Sequence, residues 1–362
     1  MKKRILIMAG GTGGHIFPAL AIADELKQQG HEVVWLGTKQ GLEFKLVPKA
    51  EIELHVLEIA AIRGKGLKRK LTAPFRLFKA VRRAKALIKS IDPDLVIGMG
   101  GYVSGPGGLA AWLLRIPLVI HEQNTIPGLT NKVLSRLASS VCESFPGAFK
   151  AKKHITYTGN PVRRSICELP DPSTRIPGHD NGLRVLILGG SQGAEVLNKI
   201  MPMAINKIPK DKQPHIWHQS GTLQLGTTKQ AYIGVGVEAR VEPFMDNMAE
   251  AYAWADLVIC RAGATTVSEL TAAGVGSILI PYPTAVDDHQ TVNAKFLQNT
   301  GAAIIMPQRT ISAEDIAQQI MTYAEDRNEL TQMAQAAYAL GNKDATKRVV
   351  EQCLGAMGAN KH

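Results

Sequence analysis

The sequence contains the same strand-and-loop pattern twice, 180 residues apart. The segment 4–13, RILIMAGGTG, aligns with the segment 184–193, RVLILGGSQG. In each copy an apolar run leads into glycines and then into a helical segment, which is typical of a buried strand, a tight loop and a helix. Asp94–Ile97 also matches Asp256–Ile259, 162 residues later. This repetition predicts two similar doubly wound domains in tandem.

Apolar strands alternate with helical segments along the chain, a pattern that favours parallel sheets covered by helices. A proline-rich stretch without periodicity, residues 159–182, separates the two repeats. We therefore predict one domain over residues 1–160, a second over 161–343, and a last helix, about 344–362, that can pack back onto the first. The predicted fold class is α/β, with two Rossmann-like parallel sheets that face a cleft at the carboxyl ends of their strands.

Positive charge is concentrated in the first half of the chain. Residues 1–160 contain 24 Lys and Arg against 11 Asp and Glu, whereas residues 161–362 contain 18 against 20. Within residues 63–89 eleven cations occur without one acid, interleaved with apolar side chains. Nucleic acid is the weaker candidate partner, because stacking aromatics are few and no known motif is present. An anionic membrane surface fits better, since apolar residues can enter the interface while Lys and Arg meet headgroups.

Several classes of protein and site are disfavoured. The four cysteines have no CxxC spacing, which argues against disulfides or structural zinc and favours a reducing cytoplasm. The apolar run before Gly10 is too short for a signal peptide, and no run reaches the roughly 18 apolar residues of a membrane span. Asp92-Pro93-Asp94 indicates a turn, and Asp287-Asp288-His289 lacks supporting ligands, so we predict no metal and no cofactor.

The first glycine loop, residues 10–14, favours a phosphate. Glycines let backbone N–H groups approach an anion, and the helix that follows adds the positive end of its dipole. The loop matches neither a dinucleotide fingerprint, because Ile16 replaces the third glycine, nor a Walker A loop. A purely structural turn is the alternative. His15, at the start of the helix, is a candidate for chemistry or a capping or packing residue, and spacing alone leaves this open.

Three other strand ends carry glycines or polar residues, where active sites of such folds collect. Residues 98–108 contain six glycines, and residues 121–124 read His-Glu-Gln-Asn directly after an apolar strand. Helix capping by Asn124 is the alternative there. In residues 261–269 a turn of small residues opens a helix, where Glu269 could bind two ribose hydroxyls or serve the helix dipole.

Six of these segments occur in an order that resembles the bacterial peptidoglycan N-acetylglucosaminyltransferases, the GT-B enzymes that make lipid II from lipid I. They are GGTGGH at 10–15, GYVSGP at 101–106, HEQN at 121–124, GNPVR at 159–163, GGSQG at 189–193 and GATTVSE at 263–269. The resemblance covers nearly the whole chain. It implies an inverting transferase that moves GlcNAc from UDP-GlcNAc to the muramoyl 4-hydroxyl of undecaprenyl-diphosphoryl-MurNAc-pentapeptide, without a metal.

The resemblance also implies site residues, carried over by position. The expected substrate-binding residues are Thr12, Gly13, Gly14, Asn124, Arg163, Ser191, Met245, Ala264, Thr265, Thr266, Val267, Ser268, Glu269 and Gln290. Met245 is expected to close on the uracil and Glu269 to bind the ribose. The chain departs from the family pattern at residues 283–286, which leaves open whether Gln290 or His289 contacts the donor sugar. The phosphate expected at the first loop is the diphosphate of the lipid acceptor, although Thr12 to Gly14 match donor residues.

The acceptor hydroxyl needs a base, because it loses its proton as it attacks the anomeric carbon. His15 is the candidate and Glu122 the second choice, since an ordinary histidine titrates near neutral pH. The expected membrane-contact residues are Arg69, Lys70, Leu71, Phe75, Phe78, Arg82 and Arg83. The expected location is the cytoplasmic face of the inner membrane, with cell-wall synthesis and division proteins as further partners. A UDP-sugar epimerase of the same layout and a non-catalytic nucleotide binder at a membrane are the alternatives.

Overall fold

The chain forms two compact units in a computed structural model. The first unit contains Met1–Arg163 and Lys343–His362, and the second contains Arg164–Asn342. The structure describes residues 2–58, 67–150, 152–176, 182–190, 193–283 and 288–359, and it describes no side chain in 67–73 or at 359. The first half of the basic segment, including Arg69, Lys70 and Leu71, therefore lies outside the described side chains, and Ser191 lies outside the described residues.

The first unit is a parallel sheet covered by helices. Its strands are β1 (Arg4–Ala9), β2 (Glu32–Gly37), β3 (Glu53–Val56), β4 (Leu95–Gly100), β5 (Leu118–Glu122), β6 (Ser140–Glu143) and β7 (Ile155–Tyr157). Its helices are α1 (Gly13–Gln28), α2 (Glu43–Lys49), α3 (Leu67–Ile91), α4 (Ser104–Leu113) and α5 (Leu129–Leu134). All neighbouring strands pair in parallel in the order β3-β2-β1-β4-β5-β6-β7. The strand order reverses between β1 and β4, which is where such sheets bind ligands.

The second unit repeats this plan with six parallel strands. They are β8 (Arg184–Leu188), β9 (His215–Gln219), β10 (Arg240–Glu242), β11 (Leu257–Cys260), β12 (Gly276–Leu279) and β13 (Ala303–Ile305). Its helices are α6 (Arg164–Cys167), α7 (Pro172–Arg175), α8 (Glu195–Asn206), α9 (Leu225–Gly234), α10 (Met248–Trp254), α11 (Ala264–Ala273), α12 (His289–Gln298), α13 (Ala313–Glu325) and α14 (Arg327–Leu340), with short 3₁₀ turns at Lys210–Lys212 and Thr222–Gln224. The order is β10-β9-β8-β11-β12-β13, with the reversal between β8 and β11.

The internal repeat extends to individual hydrogen bonds. In the first unit Oδ2 of Asp94 accepts the backbone N–H of Arg4 at 2.8 Å, and in the second Oδ2 of Asp256 accepts that of Arg184 at 2.9 Å. Each aspartate stands directly before the strand that pairs with the repeat's first strand. The bond therefore sets the register at each strand-order reversal. Asp92-Pro93-Asp94, which the sequence predicts to be a turn, links α3 to β4, and Asp94 makes this bond.

The sheets are buried on both faces, as their continuous apolar strands predict. In the first unit Ile5 and Ile7 of β1 contribute to the core on one face, while Leu6 and Met8 contribute to the core on the other. The last helix, α15 (Ala345–Ala359), packs on α1 and against β5 and β6 of this unit. Together with the second sheet, this arrangement confirms the predicted fold class of two doubly wound parallel sheets.

Helix α4 begins at Ser104, inside the glycine-rich stretch of residues 98–108. Half of the glycine-rich stretch is therefore helical. The glycines are required by close packing, because a Cβ at Gly107 would overlap the sulfur of Met8 and one at Gly108 would lie 2.7 Å from Leu134. Helix propensity alone disfavours glycine there, and tertiary packing overrides it.

Candidate active site

The first unit brings together the loops that follow β1, β4 and β5. The loop after β1 turns at Gly11, whose φ of +100° lies in the left-handed region that favours glycine. Helix α1 then starts at Gly13 without a side-chain cap and without an acid in its first turn. Such a helix start favours an anion, because its N–H groups and dipole point outward.

The loop after β1 is held from behind by a buried carboxylate. Glu43 of α2 is fully buried, and its Oε2 accepts the backbone N–H of Gly11 at 3.0 Å. Its Oε1 accepts the backbone N–H and the hydroxyl of Thr38 at 2.9 and 2.8 Å. The carboxylate thereby ties the loop to the end of β2, and it occupies one of the loop's N–H groups.

The loop after β4 lies against the loop after β1 and against His15. At Gly100, with φ of +106°, a Cβ would lie 2.7 Å from two atoms of the His15 ring. A Cβ at Gly101 would overlap the carbonyl of Gly10. The buried hydroxyl of Ser104 donates to the carbonyl of Gly100 at 2.7 Å and accepts its N–H at 3.0 Å. Glycines at 100 and 101 are thus required by the close approach of His15 and Gly10.

His15 is half-buried and is hydrogen-bonded to the end of β5. Its Nδ1 lies 2.9 Å from Oε1 of Gln123. The amide nitrogen of Gln123 donates to the carbonyl of Met99 at 2.9 Å and lies 3.1 Å from Nδ1 of His121. Nε2 of His121 in turn lies 3.0 Å from the carbonyl of Gly159. A continuous chain of hydrogen bonds therefore runs from the interior of the unit to His15.

Glu122, the second candidate base, is buried, and both oxygens of its carboxylate accept hydrogen bonds. Oε1 accepts the backbone N–H and the side-chain amide of Asn124 at 3.0 and 3.4 Å. Oε2 accepts the backbone N–H of Gly128 at 3.2 Å and the amide of Asn131 at 2.9 Å. Glu122 therefore organises the segment between β5 and α5, and Asn124 is fixed beside it.

Arg163 lies at the end of the first unit, close to the start of α1. Its guanidinium stacks over the ring of Phe17 at 4.8 Å from the ring centroid. The same ring lies so close to Gly13 that a Cβ there would be 2.7 Å away. Phe17 thus connects Arg163 to the first turn of α1, which is where Thr12 to Gly14 were expected to act.

In the second unit the loop after β8 is held by Gln219 of β9. Its amide nitrogen donates to the carbonyl of Gly190 at 2.9 Å, and its Oε1 accepts the backbone N–H of Met245 at 3.0 Å. A Cβ at Gly193, where φ is +79°, would overlap the carbonyl of Ser220. Met245 is only 2% exposed, so its side chain packs inward in this structure.

Helix α11 presents the segment Ala264–Glu269 after β11. It begins at Ala264, and the residue before it, Gly263, provides no side-chain cap; like α1, it has no acid in its first turn. Glu269 is buried, and its Oε2 accepts the hydroxyl of Tyr252 at 3.1 Å. Val267 is 1% exposed, so its side chain belongs to the core and only its backbone can meet a ligand.

Gln290 lies in the first turn of α12, close to the end of β12. Its Oε1 accepts the backbone N–H of Tyr282 at 2.9 Å. The amide nitrogen of Gln290 therefore points away from that N–H and can act as a donor. Asn293 anchors the same helix by donating to the carbonyl of Ala262 at 3.2 Å. The guanidinium of Arg261 donates to the carbonyl of Ile280 at 3.0 Å, and burial lowers its pKa.

The described half of the basic segment exposes aromatic and cationic side chains together. Phe75 is 72% and Phe78 66% exposed on α3, and Arg82 and Arg83 are also exposed. Trp112 on α4, which packs on α3, is 47% exposed. Exposed large aromatics beside cations are typical of a surface that meets anionic lipid. Among the described residues no helix is both long and apolar enough to cross a bilayer.

No cluster of three or more His, Cys, Asp or Glu side chains capable of holding a metal ion occurs among the described residues. Asp287 lies outside them, so the structure says nothing of the Asp287-Asp288-His289 segment as a whole.

Two family models match the chain. The glycosyltransferase family 28 N-terminal domain matches residues 5–143, and the C-terminal domain of the same family matches residues 184–349. The chain belongs to glycosyltransferase family 28. The first match covers β1 to β6 of the first sheet and the second covers all six strands of the second sheet, which confirms the GT-B fold class predicted from the sequence.

Individual relatives support the same family assignment. The chain is 51% identical, over 98% of both chains, to a UDP-N-acetylglucosamine–N-acetylmuramyl-(pentapeptide) pyrophosphoryl-undecaprenol N-acetylglucosamine transferase of Marinobacter nauticus. The crystal structure of Acinetobacter baumannii MurG matches with a TM-score of 0.82 and 43% identity, over 98% of this chain and 99% of that one. The resemblance to the lipid II-forming transferases is thereby confirmed.

A UDP-GlcNAc 2-epimerase of Neisseria meningitidis matches with a TM-score of 0.68 at 13% identity, over 97% of this chain and all of that one. At this identity the likeness shows a shared fold only.

The expected site residues of this family 28 chain fall into two groups. The first unit contains Thr12, Gly13, Gly14, His15, Glu122, Asn124 and Arg163, and the second contains Met245, the six residues 264–269 and Gln290. In the first unit they lie at or after the carboxyl ends of β1, β5 and β7, and in the second after those of β10, β11 and β12. Their roles toward substrate remain predictions.

Sequence reasoning missed three residues that organise these loops. In the sequence Glu43 is marked only as an acid at the start of a short helix, and Gln219 and Tyr252 belong to no recognisable motif. Gln123 was part of the HEQN segment but received no role of its own. Their partners are distant in sequence, so only the folded chain reveals them.

Proposed function

We propose that this chain transfers GlcNAc from UDP-GlcNAc to the muramoyl 4-hydroxyl of undecaprenyl-diphosphoryl-MurNAc-pentapeptide, forming lipid II. The names of its relatives supply the substrates. The observation that carries the proposal is the placement of His15. Its Nδ1 is held by Gln123, and its Nε2 has no hydrogen-bond partner among the described residues. A base of this kind, beside an uncapped helix start, is what glycosyl transfer to a hydroxyl requires.

In the proposed reaction Nε2 of His15 takes the proton of the acceptor hydroxyl. The hydroxyl oxygen forms a bond to the anomeric carbon as the bond from that carbon to the diphosphate oxygen breaks. UDP leaves with that electron pair, and attack from the opposite face inverts the anomeric centre. The helix starts of α1 and α11 can stabilise diphosphate charge through N–H groups and dipoles.

His15 is preferred to Glu122 as the base. The two oxygens of Glu122 already accept four hydrogen bonds from Asn124, Gly128 and Asn131. To take a proton, Glu122 would have to give up some of these bonds in a buried position, which is costly. Its proposed part is to hold Asn124 in place.

The second unit is proposed to hold the donor. Glu269 is the proposed ribose ligand, since a carboxylate can accept two hydroxyls, and Tyr252 fixes one of its oxygens. Gln290 rather than His289 is proposed to contact the donor sugar, because its amide nitrogen is already oriented as a donor. The loop at Met245, which Gln219 holds, is proposed to close on the uracil. The remaining donor ligands expected in this unit are Ser191 and residues 264–268.

The first unit is proposed to dock on the cytoplasmic face of the inner membrane, where the lipid acceptor resides. The proposal rests on Phe75, Phe78 and Trp112, which are exposed on the packed helices α3 and α4, and on the exposed Arg82 and Arg83 of α3. Aromatic side chains favour the lipid interface, and each cation near anionic headgroups contributes about 1 kcal/mol. Proteins of cell-wall synthesis and division are proposed as further partners.

The decisive experiment incubates the protein with labelled UDP-GlcNAc and a soluble lipid I analogue. The expected result is a labelled disaccharide product that forms only when both substrates are present. With UDP-GlcNAc alone, an altered free nucleotide sugar would identify an epimerase, and no change in either mixture would leave nucleotide binding as the activity. His15→Ala should lower turnover by about 100-fold or more while the Kd for UDP-GlcNAc changes little.

A further inference from the structure

The hydrogen bonds between β5 and His15 allow only one arrangement of protons. The carbonyl of Met99 can only accept, so the side-chain nitrogen of Gln123, 2.9 Å away, must face it. The side-chain oxygen of Gln123 therefore faces Nδ1 of His15. An amide oxygen can only accept, so Nδ1 of His15 must carry the proton. In a neutral imidazole the other nitrogen, Nε2, then holds the lone pair.

The same reasoning fixes the next histidine along the chain of bonds. The nitrogen of Gln123 donates toward Nδ1 of His121, which must accept. The proton of His121 then lies on Nε2, which faces the carbonyl of Gly159 at 3.0 Å. Each donor meets an acceptor from Gly159 to His15, and turning the Gln123 amide over would set its oxygen against the Met99 carbonyl.

Burial keeps this arrangement in place. His121 is fully buried and Gln123 is 1% exposed. Burial lowers the pKa of His121 to about 4, with a smaller contribution from His15, so His121 stays neutral near pH 7. A protonated His121 would place an N–H against the amide nitrogen of Gln123. The backbone of Gly100 lies against the His15 ring and limits its rotation.

We infer that Gln123 and His121 are positioning residues that hold His15 as the Nδ1–H tautomer, with its Nε2 lone pair directed toward the acceptor hydroxyl. The inference rests on the proposed function for its catalytic consequence, but the tautomer itself can be measured without substrate. Neither residue touches the reacting atoms. Both act through the imidazole ring of His15, which is proposed to do so.

The test uses the full-length protein with ¹⁵N-labelled histidine. Long-range ¹H–¹⁵N NMR spectra distinguish the two imidazole tautomers, and a His15→Gln spectrum assigns the His15 signals. The wild type should show one neutral Nδ1–H tautomer at His15. Gln123→Leu removes the acceptor, so His15 should show mixed tautomers. Its kcat should fall about ten-fold or more, while KM for UDP-GlcNAc stays within about two-fold.

Gln123→Glu is the conservative variant, because its carboxylate still accepts from Nδ1. A carboxylate beside a histidine favours the charged imidazolium, so the acidic limb of the pH profile of kcat should move to higher pH. The other titratable groups on the elements around His15, namely Glu43, Tyr102, His121 and Glu122, are unchanged in this variant. Gln213→Leu is the control, since it removes a part-buried amide that donates to Ile205 and Ile208 in the other unit.

An Nε2–H tautomer at His15 in the wild type would overturn the inference. So would a Gln123→Leu protein whose His15 spectrum and kcat match those of the Gln213→Leu control. Failure of the proposed function has a different signature, because a wild type that transfers no GlcNAc would still display the Nδ1–H tautomer and lose it in Gln123→Leu.

Discussion

The carboxylate of Glu43 accepts the backbone N–H of Gly11 at 3.0 Å, although the two residues belong to different strand-loop-helix units of the sheet. Glu43 is fully buried and also accepts two hydrogen bonds from Thr38. The buried carboxylate of Glu43 fixes the shape of the loop after β1, which is expected to meet phosphate. Its negative charge also opposes the binding of an anion at that loop. The loop after β1 is therefore a preorganised element rather than a free glycine turn.

Replacing Glu43 with Gln should lower the free energy of unfolding by about 1–3 kcal/mol, because an NH₂ group would face an N–H or O–H donor. Urea unfolding measures this directly. Glu53→Gln is the matched control, since that side chain is 69% exposed and should change stability by less than about 0.5 kcal/mol. Equal midpoints for the two variants would contradict the structural role of Glu43.

Gly100→Ala should impair catalysis through His15. The added Cβ would lie 2.7 Å from the imidazole, and the φ of +106° is unfavourable for alanine. Gly30→Ala is the matched control, since its φ is +83° but nothing lies within 4 Å of the added Cβ. Both should lose about 1–2 kcal/mol of stability, but only Gly100→Ala should lower kcat, by about ten-fold or more. Similar kcat values for the two variants would count against the contact with His15.

Continuous apolar runs predicted the sheet well, because a strand buried on both faces has no polar position. The repeated segments 4–13 and 184–193 contain β1 and β8, and the two doubly wound sheets that this repeat predicts are confirmed. The repeat was informative because each copy contains the corresponding buried strand. In each unit an aspartate, Asp94 or Asp256, also accepts the same backbone hydrogen bond from the first residue of that strand.

The positions of loops and hydrogen-bond partners could not be predicted in this way. Helix α4 begins among glycines because Gly107 and Gly108 pack against Met8 and Leu134, contacts that connect distant parts of the chain. Gln123 follows a motif histidine, but its orientation depends on the Met99 carbonyl. Local sequence patterns describe periodicity and turn chemistry, whereas these features depend on which side chains the sheet brings together.

Removing the exposed aromatics of α3 should weaken membrane binding. Phe75 and Phe78 are 72% and 66% exposed, so Phe75→Ser with Phe78→Ser should leave the fold intact and reduce partitioning onto anionic vesicles about ten-fold or more. Co-sedimentation with vesicles measures the change. Leu223→Ser is the control, because Leu223 is 97% exposed on the second unit.

Neutralising cations should weaken the same binding in a salt-dependent manner. Arg82→Gln with Arg83→Gln removes two exposed charges from α3, and each should contribute about 1 kcal/mol at low ionic strength. The difference from wild type should shrink as salt rises, because exposed charges are screened. Adding substitutions at Arg69 and Lys70 should enlarge the effect. Unchanged partitioning in all of these variants would place the membrane surface elsewhere.

The second unit should lose stability in acid through His218. This histidine is buried between Tyr232, 2.9 Å from its Nδ1, and Asn198, 3.0 Å from its Nε2, and burial lowers its pKa to about 3. The unfolded chain binds the proton near pH 6.5, before the folded chain does. The stabilising contribution is therefore fully present above about pH 6.5 and is lost as pH falls toward 3.

Replacing His218 with Gln removes this titration while keeping an amide donor and acceptor for the same partners. Between pH 7 and pH 4.5 the wild-type second unit should lose about 2–3 kcal/mol more stability than the variant, since one pKa unit corresponds to about 1.4 kcal/mol. Pulsed hydrogen exchange along a urea series, read on peptides from α8, β9 and α9, reports this unit separately. His215→Gln, on the exposed start of β9, is the control. A wild-type unit whose acid sensitivity equals that of His218→Gln would show that His218 is protonated without cost to the fold.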